Sequence, residues 1–106
     1  MADDYVLRKT IKEGNMYKRG VVNTDWKLRK FVLNGKQLHY FKGAKSTPSG
    51  TIDLKKIVSV SDMEEDCTFH IVYPGRTYKL RGLTTEAGAE WRDAIAVAQQ
   101  AAAKRP

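Results

Sequence analysis

Lys18, Lys27, Arg29 and Tyr40 are donors that suit one kind of ligand, an anion dense in phosphate. A guanidinium offers a planar fork to phosphate oxygens, an ammonium is a compact point charge, and a phenol adds a neutral donor. Three of the four fall in the stretch YKRGVVNTDWKLRKFVL, Tyr17 to Leu33, where five basic residues are set among apolar ones. Their spacing brings them together only if the chain around them is β-sheet.

It reads as sheet. From residue 13 the chain runs as short alternating segments separated by turn residues, with strands expected at about 14–20, 26–33, 37–42, 50–54, 57–61, 67–73 and 76–82. Asn34-Gly35 suits positive φ at both central positions of a tight hairpin turn. Pro74-Gly75 suits a turn with positive φ at the glycine alone. From residue 84 the period changes: Ala87, Trp91, Ile95, Ala98 and Ala102 recur at three- and four-residue steps, one face of a helix with Trp91 as its core plug. Thr84 or Thr85 can cap its start, and Glu86 and Lys104 complement its two ends. The fold expected is mainly β, seven antiparallel strands curled into two packed sheets or a partly closed barrel, with a C-terminal helix over the open corner.

Side chains two apart on a strand share a face, and that rule sorts the basic residues. Lys18 has the parity of the apolar Met16, and Lys27 and Arg29 that of Phe31 and Leu33. Tyr40 and Lys42 have the parity of Leu38. In an up-down meander the end of the first strand, the start of the second and the end of the third are neighbours. Lys18, Lys27, Arg29, Tyr40 and Lys42 are therefore expected at one mouth of the sheet, beneath loops at 19–25 and 43–49. Unpaired buried charge is costly, so a solvated rim that takes an anion is the natural outcome.

The chain of 106 residues is one domain by size, with a net charge of +7 and 42% hydrophobic residues. The charge is uneven: residues 1–60 carry 13 Lys or Arg against 5 Asp or Glu, and residues 61–106 carry 6 against 7. That asymmetry suits nucleic acid, an anionic membrane or a phosphorylated ligand. Nucleic acid ranks low, because Phe31, Phe69 and Tyr78 read as core rather than as stacking platforms. His39 and His70 lie on different strands without nucleophile or carboxylate companions, and neither a phosphate-binding glycine loop nor metal-ligand spacing occurs, so no catalysis, metal or cofactor is expected. The start, MADDYVLRKT, lacks the basic and apolar regions of a secretory signal, and the one cysteine, Cys67, fits a reducing compartment as a small buried hydrophobe.

Several segments together resemble the pleckstrin homology (PH) domain family: EGNMYKRG for a first strand, DWKLRKFVLNGKQLHYFK for a second and third, PSGTIDLKKI for a fourth, and EWRDAIAVA for the tryptophan-bearing helix. The resemblance implies a bent barrel of two near-orthogonal sheets capped by the helix, with 1–12 as an extension, 13–103 as the domain and 104–106 as a tail. It also implies a phosphoinositide-binding module. The pattern of binders that prefer the 3-phosphate matches Lys18, then Lys27 and Arg29, then Tyr40. By that resemblance Lys18 and Arg29 would grip the 3-phosphate of a 3,4,5-trisphosphate or 3,4-bisphosphate head group, Lys18 and Tyr40 the 4-phosphate, and Lys27 the 1-phosphate side.

Arg19, Lys42, Lys45 and Arg76 are added as supporting bases. Val21 and Val22 are added as a shallow membrane contact beside the anionic surface. The expectation is a monomeric, cytoplasmic, non-enzymatic module recruited peripherally to the plasma membrane or other phosphoinositide-bearing membranes. The alternative is a protein-interaction or phosphopeptide-binding module of the same fold with only weak lipid binding.

Overall fold

The computed structural model describes residues 6–20 and 24–106. Among the described residues there are seven strands: β1 (Lys12–Arg19), β2 (Trp26–Leu33), β3 (Gln37–Phe41), β4 (Gly50–Asp53), β5 (Ser59–Val60), β6 (Thr68–Tyr73) and β7 (Arg76–Arg81). A 20-residue helix, α1 (Thr85–Lys104), follows. Each strand overlaps its expected position. The fifth is the shortest, and Leu54–Lys56, between the fourth and the fifth, form a 3-10 turn with the Asp53 side chain accepting from Lys55 N.

All pairings between these strands are antiparallel, in the order β4-β3-β2-β1-β7-β6-β5. The two expected sheets are thus one hydrogen-bonded sheet. β1 makes the join: it runs the whole length of β2, from Lys12 opposite Leu33 to Arg19 opposite Trp26, but meets β7 only through Tyr17, Lys18 and Arg19. Those three residues lie at the end of β1 that faces Lys27 and the start of β2.

Alternation then fills the inside. Met16, Phe31, Leu33, Leu38, Ile52, Phe69, Ile71 and Leu80 are fully buried, and α1 lays Trp91, Ile95, Ala98 and Ala102 against them. Burying one such Leu or Phe contributes roughly 1.5–3 kcal/mol, so this inward set carries the fold. Trp91 packs edge-on to Phe31 with ring centroids 6.2 Å apart. Thr84 caps the helix, its Oγ1 accepting from Ala87 N at 3.0 Å. Thr85 instead meets the Cys67 thiol at 3.3 Å, and Cys67 is only partly buried.

The β2–β3 turn corrects one expectation. Neither Asn34 nor Gly35 has positive φ. Asn34 stands before the bend, buried, and its side-chain Oδ1 accepts from Lys36 N at 2.8 Å and Gln37 N at 2.7 Å. A side-chain acceptor does the work that a left-handed backbone would have done. The expected positive φ is found at the other marked turn, where Gly75 has φ 83° between the paired Tyr73 and Arg76. The lead-in is tied to the first of these turns: Gly35 N donates to Leu7 O at 2.7 Å, and Arg105 Nη2, beyond α1, donates to Gly35 O at 2.6 Å.

Candidate functional site

At the end of the sheet remote from that turn, cross-strand register places like charges face to face. Lys18 on β1 lies opposite Lys27 on β2, two residues from the pair of Met16 with Arg29. Like charges directly opposite on a sheet repel. Tyr40 on β3 lies opposite Phe31 and, on its other side, opposite Gly50 of β4. The inward parity expected for Lys18, Arg29 and Tyr40 therefore brings them to one mouth, where all three are partly buried, with Lys27 exposed at the rim.

Arg76 joins them from the β6–β7 turn. The Lys18 ammonium is pushed below its ordinary pKa, first by burial and then by the positive charges of Arg76 and Arg29. Among the described residues no carboxylate bridges Lys18, Lys27, Arg29 or Arg76. Arg29 spends one donor on the carbonyl of Leu28, Nη1 to O at 2.8 Å, and Arg76 Nε is buried without a hydrogen-bond partner. A cup lined with crowded cations and an orphaned donor is chemically poised to accept several anionic oxygens.

The floor of the cup is aromatic. Lys18 Nζ stands 4.8 Å from the ring centroid of Tyr40 and 5.8 Å from that of Tyr78. Arg76 Cζ lies 4.0 Å from the Tyr78 centroid. Tyr40 reaches the mouth because its partner Gly50 has no side chain: a Cβ there would overlap the Tyr40 ring and hydroxyl. Tyr78 and Gly50 are the two site residues that the sequence reading did not single out. The first was visible as a buried aromatic two strand positions from Arg76, on the same face, whereas the second carried no signal beyond being a glycine at a strand start.

The remaining expected residues divide. Arg19 has the opposite parity and lies on the outer face, where Nε donates to Thr24 O at 2.9 Å and Cζ stands 5.9 Å from the Trp26 ring. It sits opposite Lys79 of β7. An outer cleft of about 580 Å³ is lined there by Arg19, Trp26, Lys79 and Arg81 together with Glu64, Glu65 and Asp66. Lys42 and Lys45 are exposed on the β3–β4 connection, which is fixed where Lys42 N donates to Ser49 Oγ at 2.9 Å. Val21 and Val22 lie outside the described residues. No helix among the described residues is long and apolar enough to cross a membrane.

Comparison with known proteins follows this geometry. Residues 10–100 match the family model described as PH domain. Pleckstrin of Mus musculus is 31% identical over 92% of this chain and 33% of its own length, and the kinase pakC of Dictyostelium discoideum is 30% identical over 79% of this chain and 18% of its own. The chain thus spans a third or less of those relatives. Among solved structures, the C-terminal PH domain of pleckstrin is 34% identical, with a TM-score of 0.76 over 86% of this chain and 98% of that one. The same domain has been solved in complex with D-myo-Ins(1,2,3,5,6)P5. The PH domain of Slm1, 20% identical with a TM-score of 0.78, covers 86% of this chain and 96% of its own, and shares the fold.

Proposed function

The chain belongs to the PH domain family, and from that premise we propose that it recognises phosphoinositide head groups at the cup of Lys18, Lys27, Arg29, Tyr40 and Arg76. The observation that carries this reading is the convergence of Lys18, Arg29 and Arg76 at one mouth with no carboxylate between them among the described residues. The inositol pentakisphosphate complex of a domain 34% identical to this one supports it.

The finer reading is a 3-phosphorylated head group, the 3,4,5-trisphosphate or the 3,4-bisphosphate. Lys18 and Arg29 take its 3-phosphate, Lys18 and Tyr40 the 4-phosphate, and Lys27 lies towards the lipid linkage. Arg76 adds a donor from the turn facing them. Lys42 and Lys45, on an exposed connection, and Val21 and Val22 meet the membrane around the cup. The module is then a non-catalytic address that moves from the cytosol to phosphoinositide-bearing membranes. Binding is part specific grip and part diffuse charge, so it weakens with salt without vanishing.

The deciding experiment is liposome co-sedimentation at physiological salt across the seven phosphoinositides, with a phosphatidylserine control. Selective pelleting with 3-phosphorylated species, lost in Lys18→Ala and Arg29→Ala, is the expected result. Pelleting that follows total negative charge alone would reduce the cup to a basic surface.

One observation favours a second reading, a protein-interaction module. The outer cleft has both signs of charge in its lining, with Arg19 and Arg81 each 5.9 Å from the Trp26 ring, a surface better matched to a peptide than to a polyphosphate. A partner captured equally by the wild type and by Lys18→Ala would support it.

A further inference from the structure

We infer that Tyr78 is the positioning residue of the cup: one buried ring that holds two mutually repelling cations, Lys18 and Arg76, in place before any ligand arrives. The inference rests on the head-group reading above and adds to it the reason the empty cup keeps its shape.

An empty site that gathers like charges has a mechanical problem. Lys18 repels Lys27 across the strand pair and feels Arg29 and Arg76 besides. Long side chains in that position swing out to solvent unless something attracts them inward. No carboxylate among the described residues does so. What lies beneath is a ring face, and the negative face of an aromatic ring attracts a cation without adding a charge that the ligand would have to displace.

Tyr78 is suited to that task in three ways. It is only 6% exposed, so its ring is held by the core. It is braced by two other rings, Tyr40 at 6.5 Å and Tyr73 at 5.8 Å, both packed edge to face, and Tyr73 is itself anchored where its hydroxyl accepts from Asp53 N at 3.1 Å. It also serves both cations, with Arg76 Cζ at 4.0 Å and Lys18 Nζ at 5.8 Å from its centroid. Burial raises its hydroxyl pKa despite Arg76 alongside, which keeps the phenol neutral. Arg76 Cζ stands over the ring, its Nε is unsatisfied, and no carboxylate among the described residues takes its guanidinium, which leaves donors for phosphate.

The test is titration calorimetry with the soluble head group inositol 1,3,4,5-tetrakisphosphate, together with proton NMR of the empty protein. Tyr78→Phe retains the ring and binds within about twofold of wild type. Phenylalanine of increasing fluorination at 78 keeps the shape while draining the ring face, and affinity falls stepwise, by roughly five- to tenfold at the pentafluoro derivative. That loss shrinks in an Arg76→Ala background, where Lys18 alone remains over the ring.

In the empty protein the Arg76 Hδ protons are shifted upfield by the ring in wild type and Tyr78→Phe, and lose that shift in Tyr78→Leu. Affinity unchanged along the fluorinated series, or Arg76 Hδ protons at random-coil positions in wild type, would overturn the inference. Lys18→Ala reports separately on the cup itself. If that variant binds as wild type does, the head-group reading fails, while the Arg76 shift still decides whether Tyr78 holds its cations.

Discussion

Tyr40 occupies the space that a side chain on Gly50 would fill, although the two residues face each other across β3 and β4 as an ordinary antiparallel pair. The ring lies over the glycine and so reaches the mouth. A methyl group at 50 leaves the ladder intact and moves the ring, because the atoms it meets are the far end of the Tyr40 side chain and not backbone. Gly50→Ala is expected to keep its circular dichroism spectrum and to bind inositol 1,3,4,5-tetrakisphosphate several-fold more weakly by calorimetry. Wild-type affinity would mean that the Tyr40 hydroxyl is not part of the grip.

Function and stability pull apart at Lys18. The empty cup sets it against Lys27, Arg29 and Arg76. Lys18→Met keeps the apolar stem and removes the charge, which relieves up to about 1 kcal/mol of cross-strand repulsion. The expected melt by differential scanning fluorimetry is a few degrees higher for the empty variant, on the order of 4–8 °C per kcal/mol for a domain near this size. Added head group stabilises the wild type and leaves Lys18→Met unmoved.

Two titrations point the same way on the pH axis. His39, whose Nδ1 is 2.8 Å from Thr51 Oγ1, is held by burial below its ordinary value of 6.5, so near and below that value the unfolded chain binds more protons than the folded one. Stability is full above 6.5 and declines as the pH falls through the folded value. Urea unfolding at pH 7.5, 6.5 and 5.5 is expected to show that decline, and His39→Gln should flatten it. Lys18 has the same sign in an alkaline window: its folded pKa is depressed from 10.5, so its share of stability rises as the pH approaches 10.5. Lys18→Met should lack that rise.

The Asn34 side chain carries a turn by itself. Its Oδ1 accepts from two backbone N–H groups, at 2.8 and 2.7 Å, and it is 7% exposed. Asn34→Ala leaves both donors short of an acceptor and costs about 1–3 kcal/mol in urea unfolding. Asn34→Asp keeps the acceptor and should recover most of that loss. Equal losses in the two variants would shift the role to the amide nitrogen.

Period-two alternation was enough to assign Lys18, Arg29 and Tyr40 to the inside and to one end, because the parity of a strand residue is a property of the strand alone. Arg19 shows where charge misleads: adjacent to Lys18 in sequence, it points to the other face and stacks near Trp26. Tyr78 was legible as core but not as floor, since one ring can plug the interior and present a face to the mouth, and only the neighbouring strand decides that. Asn34-Gly35 misled for a related reason. Its turn is set by a side-chain hydrogen bond and by the approach of Leu7 and Arg105, partners that no local pattern encodes.

The join between β1 and β7 consists of three residue pairs, Tyr17 with Arg81, Lys18 with Leu80 and Arg19 with Lys79. Lys18, Arg29 and Tyr40 belong to one side of that join, and Arg76 and Tyr78 to the other. A head group held by Lys18 and Arg76 is therefore a clasp across this short seam. Occupancy and cohesion would rise together: hydrogen exchange at Leu80 and Arg81, slowed by ligand, would report on the bound state as directly as the cup itself.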